Sequence, residues 1–459
     1  MAFLSGLTFR ETGDNIKPLN NVPKNGEHDM TETYMPAFKD LDELQTHQLN
    51  GLKWTVNHAY HGSSFYKKKL DNLKIHPDDI NSLEDIEKLP FTMASDLKDG
   101  YPLPLLSVPE SEVVRIHASS GTTGKKKVLA YTQKDIDDWA HFFARCYEMA
   151  GLTKKDRVQI AVGYGVWTAG VGFQMGCEKF GAMAIPVGPG NIDMQCQFLV
   201  DLQSTVMCCT ASMGLLMAEE IHRRGLKDKI ALKKMIFGSE RSSAAMRNKI
   251  KELIGLEDLF DITGMTELYG PGTGLDCTKH EGIHYWADYY ILEILDPETM
   301  ERLPEGETGE MVVTTLSKEA APLIRYRTRD LTRLIDHPCS CGNVLPMHDS
   351  IMGRTDDMII FRAVNIYPGQ IDEILSSTPG ISCEYQVVFE RKADGKDYML
   401  LKVECNTATD TLSRTELEKK ISTDIKKQIM VGCQVELVDY CSLPRSERKS
   451  QRVFDNRPQ

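Results

Sequence analysis

Residues 116–132 read IHASSGTTGKKKVLAYT, a run of small hydroxyl and glycine residues closed by lysines. Ser119, Ser120, Gly121, Thr122, Thr123, Gly124 and Lys125 could surround phosphate oxygens with backbone N–H groups and hydroxyls while the lysines neutralise charge. The spacing is not that of a Walker loop, which needs four residues between its glycines and Ser or Thr after the lysine. Here two residues separate Gly121 from Gly124, and Lys126 follows Lys125. The plainer alternative is a flexible turn between a strand and a helix. A second stretch, FDITGMTELYG (260–270), runs a strand into Thr266 and Glu267. Its carboxylate could hold Mg2+ and its hydroxyl could meet a phosphate, or the pair could cap a helix. In LIRYRTRDLTRL (323–334) Asp330 sits among arginines, either as a hydrogen-bond acceptor or as one rung of a solvated charge ladder. GRTDDMIIFRAVNIYPGQIDEIL (353–375) and the basic LPRSERKSQRV (443–453) complete the set, the latter readable also as a surface charge run.

The elements that must position these residues follow from periodicity. Short apolar runs, EVVRIHA, RVQIAVG, AMAIPVG, STVMCCT and KKMIFGS, read as strands. Amphipathic segments at 133–150, 170–181, 193–203, 212–224 and 241–255 lie between them, and 41–69 also carries apolar residues at helical spacing. Alternation of this kind predicts an α/β fold with a mainly parallel, doubly wound sheet. After residue 280 the pattern becomes a β-hairpin around a Pro/Gly-rich turn. From Asp356 onward, MIIFRA, CEYQVVFER, DYMLLKVEC and CQVELVDY alternate with two helical segments, the texture of a small α+β unit. The expected organisation is a polar N-terminal arm (1–35), a large domain (36–355) and a small C-terminal α+β domain (356–459).

A chain of 459 residues exceeds one compact core, and 41% hydrophobic with 26% charged residues is ordinary globular material. A net charge of −12 argues against nucleic acid or an anionic membrane as partner. No apolar run approaches a membrane span, and the first residues lack the basic start of a secretory signal, so a cytoplasmic protein is expected. Its twelve cysteines are scattered and read mostly as reduced core thiols. The exception is the C-x-C pair Cys339 and Cys341, with Cys277, His280 and His284 upstream in DCTKHEGIHYW. A tetrahedral Cys3His set would suit a structural zinc, and free thiols are the alternative.

Taken together and in order, SSGTTGKKK, GMTE, YRTRD, GRTDD and a terminal PRSERK resemble the adenylate-forming enzymes. With SSFYKKKL, SLEDIEKLPFT, KEAAPLIRYRTRDLTRL and VNIYPGQIDEIL, the chain is most similar to the phenylacetate–CoA ligase family, over residues 36–457. The resemblance implies ATP, Mg2+ and coenzyme A, with a small aryl carboxylic acid as partner. The acid attacks the α-phosphate of ATP to give an acyl-adenylate and pyrophosphate, and the thiol of CoA then displaces AMP. By the same resemblance the loop 119–127 holds the β- and γ-phosphates, while Thr266 and Glu267 serve the α-phosphate and Mg2+. Asp330 takes the ribose hydroxyls, Arg354 supports ribose or phosphate, and Lys449 bridges carboxylate and α-phosphate. Ser239, Glu240, Asp261, Thr263, Gly264 and Met265 flank the nucleotide, and Asp356 falls at the hinge of a swinging C-terminal domain. Tyr164 and Trp167 match the stretch lining the aryl site, although core packing would explain them equally. The implied zinc ligands are Cys277, His284, Cys339 and Cys341, with His280 competing for the histidine place. A homodimer is within the same expectation.

Four residues depart from the family pattern: Thr263 replaces an aromatic, Ala363 a glycine, and Arg448 and Gln451 a glycine and a lysine. They keep two other readings open. One is adenylylation of another acceptor such as a deazaflavin coenzyme, for which the aryl pocket should be open rather than capped by Trp167. The other is a nucleotide-binding paralogue without catalysis.

Overall fold

The computed structural model describes residues 33–119, 126–240, 242–357, 359–362, 364–392, 397–406, 414–445 and 452–457. Ser120 to Lys125 of the Ser/Thr/Gly loop, Ala363, and Arg448, Lys449 and Gln451 of the basic C-terminal stretch lie outside them, as does nearly all of the expected N-terminal arm. Chain contacts divide the molecule into Met1–Thr33 and Tyr34–Gln459, and every helix and strand among the described residues belongs to the second unit.

Three helices come first: α1 (Leu41–Gly62), α2 (Ser64–Leu73) and α3 (Ala94–Asp99). Strands β1 (Arg115–Ala118) and β2 (Val128–Tyr131) then form an antiparallel hairpin that brackets the Ser/Thr/Gly run. This corrects one expectation. EVVRIHA is not a strand of the main sheet, because its neighbour VLAY follows closely enough to pair with it directly. Thr132 and Asp135 cap α4 (Gln133–Met149) reciprocally, each side chain accepting from the other's backbone N–H at 3.2 and 3.0 Å.

The main sheet is built from β3 (Arg157–Ile160), β4 (Met183–Ile185), β5 (Val206–Thr210), β6 (Lys234–Gly238), β7 (Asp258–Met265), β8 (Gly270–Asp276), β9 (Ile283–Tyr285) and, later in the chain, β13 (Met347–His348). Helices α5 (Ala169–Phe180), α6 (Ile192–Asp201), α7 (Ala211–Arg223) and α8 (Ala244–Ile254) connect its first half. The strand order is β13-β9-β8-β7-β6-β5-β3-β4, parallel from β4 through β7 and antiparallel from β7 to β13. VMCCT of β5 is buried on both faces, as a continuous apolar run in a covered parallel sheet must be. Side chains of Thr210 and Ser243 cap α7 and α8 where strands hand over to helices.

The predicted hairpin appears as β10 (Tyr290–Leu295) and β11 (Gly309–Thr315), extended by β12 (Tyr326–Thr332) and β14 (Gly353–Arg354) into an antiparallel sheet. Past Arg354 come the small hairpin β15 (Ile359–Phe361) with β16 (Val364–Ile366), then α9 (Pro368–Ser376), β17 (Ile381–Arg391), β18 (Asp397–Cys405), α10 (Arg414–Ile429), β19 (Gln434–Val438) and β20 (Val453–Asp455). The sheet β19-β18-β17-β20 and the two helices enclose a separate apolar core around Val387, Leu401, Ile421 and Ile425. Among the described residues no helix is long and apolar enough to cross a membrane.

Helices α4 and α5 meet closely because α5 presents glycines. A Cβ on Gly176 would lie 2.0 Å from the Cβ of Phe143, and one on Gly172 would lie 2.4 Å from its ring. Gly176→Ala should therefore destabilise the chain by ~2–3 kcal/mol through overpacking, read as a lower midpoint in urea denaturation.

Candidate active site

A cleft of about 610 Å3 opens where the ends of β6 and β7 face β12, β14 and the C-terminal segment. Ser239, Glu240, Asp261, Thr263, Gly264, Met265, Asp330 and Arg354, separated by more than a hundred residues in sequence, all line it. Ser239 holds φ at +74°, a left-handed conformation rare outside glycine and typical of tight functional loops. The next residue, Glu240, accepts a bond from the backbone N–H of Ser212 at 2.6 Å.

Gly264 is required by shape. Its φ is +146°, and a Cβ there would lie 2.2 Å from the carbonyl oxygen of Gly270. The β7–β8 register shifts at Thr263/Gly264, a bulge that re-aims the chain into the turn 266–269. That turn joins two antiparallel strands, so Thr266 and Glu267 do not cap a helix. Tyr131 donates its hydroxyl hydrogen toward the carbonyls of Thr266 and Tyr269, each 3.0 Å away. Lys318 donates to the carbonyl of Glu267 at 2.9 Å. The buried Glu267 carboxylate pairs with the Lys127 ammonium and accepts from the Tyr326 hydroxyl at 3.2 Å.

Asp330 and Arg354 are direct partners across β12 and β14. Nη1 of Arg354 donates to Asp330 at 2.6 Å, while Nε and Nη2 donate to Asp356 at 2.8 and 3.1 Å. One guanidinium thus ties the cleft acid to the expected hinge residue. Desolvation pushes the Asp330 carboxyl up to about 6, against the pull of Arg354. Asp261 is raised for the same first reason, with Arg247 at 2.7 Å opposing.

Tyr164 and Trp167 sit in the turn before α5, where Gly163 and Gly170 leave room for their rings: a Cβ on either would approach Trp167 or Tyr164 to 2.8 and 2.6 Å. Both pack against the main core, and neither lines the cleft.

At the far end of the antiparallel half, the ligand atoms of Cys277, His284, Cys339 and Cys341 lie within 4.8 Å of one another. Sγ of Cys277 is 3.5 Å from Sγ of Cys339, and Sγ of Cys341 is 3.4 Å from Nε2 of His284. Tetrahedral zinc with bonds of about 2.0–2.3 Å needs its ligands roughly 3.4–3.8 Å apart, which these two pairs meet. Nδ1 of His284 faces the carbonyl of Leu345 at 2.8 Å, leaving Nε2 to the thiols. His280 is engaged elsewhere, by Asp276 and Asp258 at 2.9 Å each. The geometry therefore selects His284.

Sequence reasoning missed Lys318, Tyr131 and the cleft-lining Arg452 and Tyr385. A lysine between Ser317 and Glu319 gives no sign of burial. The only available signal for Arg452 was its place in the basic C-terminal stretch.

Against known proteins, the family described as "AMP-binding enzyme" matches residues 58–317, and "AMP-binding enzyme C-terminal domain" matches 363–457. Fold and cleft together thus define an adenylate-forming enzyme. The phenylacetate-coenzyme A ligase of Escherichia coli (strain K12) is 40% identical over 423 residues, covering 91% of this chain and 96% of that protein. Crystals of a 2-hydroxyisobutyryl-CoA ligase in its postadenylation state, with R3-HIB-AMP, give a TM-score of 0.84 at 25% identity over 94% of each chain. The same ligase with 2-HIB-AMP and CoA, in its thioesterification state, gives 0.66 at 27% identity over 91% of each chain. The chain belongs to the phenylacetate–CoA ligase family of the adenylate-forming enzymes.

Arg354→Met should lift the Asp330 carboxyl above its present value of about 6, since the guanidinium is the main group lowering it. A carboxyl 13C NMR titration of both proteins measures this; an unchanged midpoint would contradict the pairing.

Proposed function

We propose that the protein is an ATP-dependent ligase that converts a small aryl acid, phenylacetate or a similar arylacetate, to its CoA thioester through an acyl-adenylate. The observation that carries this is the convergence of Thr263, Gly264 and Met265, just ahead of the Thr266–Glu267 turn, with Asp330 and Arg354 on one cleft, in a chain 40% identical to a phenylacetate-coenzyme A ligase along nearly its whole length. Ser239, Glu240, Asp261, Thr263, Gly264 and Met265 form the nucleotide wall. Asp330, ionised above about pH 6, accepts from the two ribose hydroxyls while Arg354 holds it in place. Thr266 donates to the α-phosphate. Glu267 is the residue suited to Mg2+, which would offset negative charge on the phosphates. The loop from Ser119 to Lys127 receives the β- and γ-phosphates, with Lys127 already reaching Glu267. Lys449 brings carboxylate and α-phosphate together. For the aryl ring the reading keeps Tyr164 and Trp167, which stand outside the nucleotide cleft against the main core.

In this reading 36–355 and 356–459 are domains and Asp356 their hinge. The bond from Arg354 to both Asp330 and Asp356 supports it, as do the different TM-scores against one ligase captured in two states. A structural zinc at Cys277, His284, Cys339 and Cys341 ties the end of β8 and strand β9 to the loop between β12 and β13. A cytoplasmic site suits the free thiols of the described cysteines. Neither the deazaflavin reading nor the non-catalytic one is favoured by relatives that are CoA ligases.

Pyrophosphate release from ATP, assayed across a panel of acids with and without CoA, tests the reading. It expects release that depends on an arylacetate and AMP formation completed by CoA; silence across the panel sinks it. Lys449→Ala should slow adenylation on the order of 10²–10³-fold while sparing thioester formation from acyl-adenylate supplied directly. Atomic emission should find one zinc per chain, lost in Cys339→Ser.

A further inference from the structure

Lys318 follows β11 and is fully buried, at 0% exposure. Its ammonium lies 5.0 Å from the ring centroid of Tyr131 and 5.1 Å from that of Tyr269, and it donates to the carbonyl of Glu267 at 2.9 Å. No carboxylate meets it within ion-pair distance among the described residues. An unbranched apolar side chain would fill the same hole without the penalty of desolvating a charge. What the ammonium alone supplies is the bond to Glu267 and a positive charge behind that turn.

The surroundings hold Lys318 still. Glu319 and Ala320 donate their backbone N–H groups to Asp135 in the first turn of α4 at 2.8 and 3.0 Å. The carbonyl of Ser317 accepts from Lys134 at 3.0 Å, and the Thr132 hydroxyl donates to Glu319 at 2.8 Å. The segment is therefore strapped to the start of a long helix. From that strap Lys318 reaches the back of the turn, beside Tyr131, whose hydroxyl faces the carbonyls of Thr266 and Tyr269. The carbonyls of Thr266, Glu267 and Tyr269 are thus all held by two buried donors. The Glu267 carboxylate is left to its own partners, Lys127 and Tyr326.

We infer that Lys318 is a positioning residue for adenylation, its buried ammonium fixing the turn that presents Thr266 and Glu267. The inference rests on the ligase reading. It acts on the first half-reaction, in which both side chains must meet the triphosphate in one geometry. A turn that is merely loosened still binds substrates but spends less time in the reactive arrangement.

The test measures ATP–pyrophosphate exchange and, separately, CoA-dependent consumption of acyl-adenylate supplied directly, in the wild type, Lys318→Met and Lys318→Arg. The expected result for Lys318→Met is a fall in kcat for exchange of about tenfold or more. KM for the acid and the second half-reaction should stay near wild type, and Lys318→Arg should recover a good part of the lost exchange. Exchange at the wild-type rate in Lys318→Met, or equal loss in both half-reactions, overturns the inference. If Lys318→Met does not fold, Lys318→Gln, which keeps a donor without the charge, is judged by the same criteria; failure of both to fold means a purely structural role and also overturns it. Wild-type exchange with an aryl acid is the control, and its absence would instead sink the ligase reading.

Discussion

A cleft meant for a polyphosphate must hold carboxylates and positive charge in one small volume, and the pairing of buried acids with cations from other elements organises this molecule. Asp261 has Arg247 of α8 at 2.7 Å, and Asp330 has Arg354 of β14 at 2.6 Å. Glu267 has Lys127 at its carboxylate and Lys318 at its carbonyl. A contact of this kind, worth about 1 kcal/mol in water, strengthens several-fold as the surrounding dielectric falls. Each cation therefore fixes the distance between the element that carries it and the acid it serves. Desolvation working against these cations leaves Asp330 near 6, ionised at neutral pH yet close to titrating.

The same chemistry joins the C-terminal segment to the rest. Glu219 of α7 accepts from Lys249, from the Tyr440 hydroxyl and from Arg445 at 2.8, 2.6 and 3.3 Å. Arg445 also grips Glu404 of β18 with two bonds, at 2.8 and 2.9 Å. These pairs are largely shielded from water, Glu404 completely, so each holds its two elements firmly together. Arg354, divided between Asp330 and Asp356, stands beside the hinge proposed above.

Much of this architecture is legible in the chain itself. Helices α4 to α7 lie within a residue or two of the segments read from apolar periodicity, because local burial writes a period into the sequence. Only α8 starts later, at Ala244, where the Ser243 cap sets its first turn. The pairing of β1 with β2 was not legible, since a strand's apolar pattern says nothing about which strand lies beside it. The family resemblance favoured His284 over His280 as the metal-site histidine, but spacing alone does not separate them, as both follow Cys277 closely. Only the fold turns Nε2 of one toward Cys341 and leaves the other between two aspartates.

By itself the sequence determined the alternation of strands and helices and the order of its chemical motifs, because those depend on local periodicity and on side-chain type. Which residues meet was decided by the tertiary structure. Asp330 finds Arg354 through the register of two strands, Glu267 finds Lys127 through a hairpin closing on a bulged turn, and Lys318 becomes a buried cation because Tyr131 of β2 and Tyr269 of the turn close over it. Contacts between distant residues leave no local trace, since a lysine reads the same whether water or two tyrosine rings surround it.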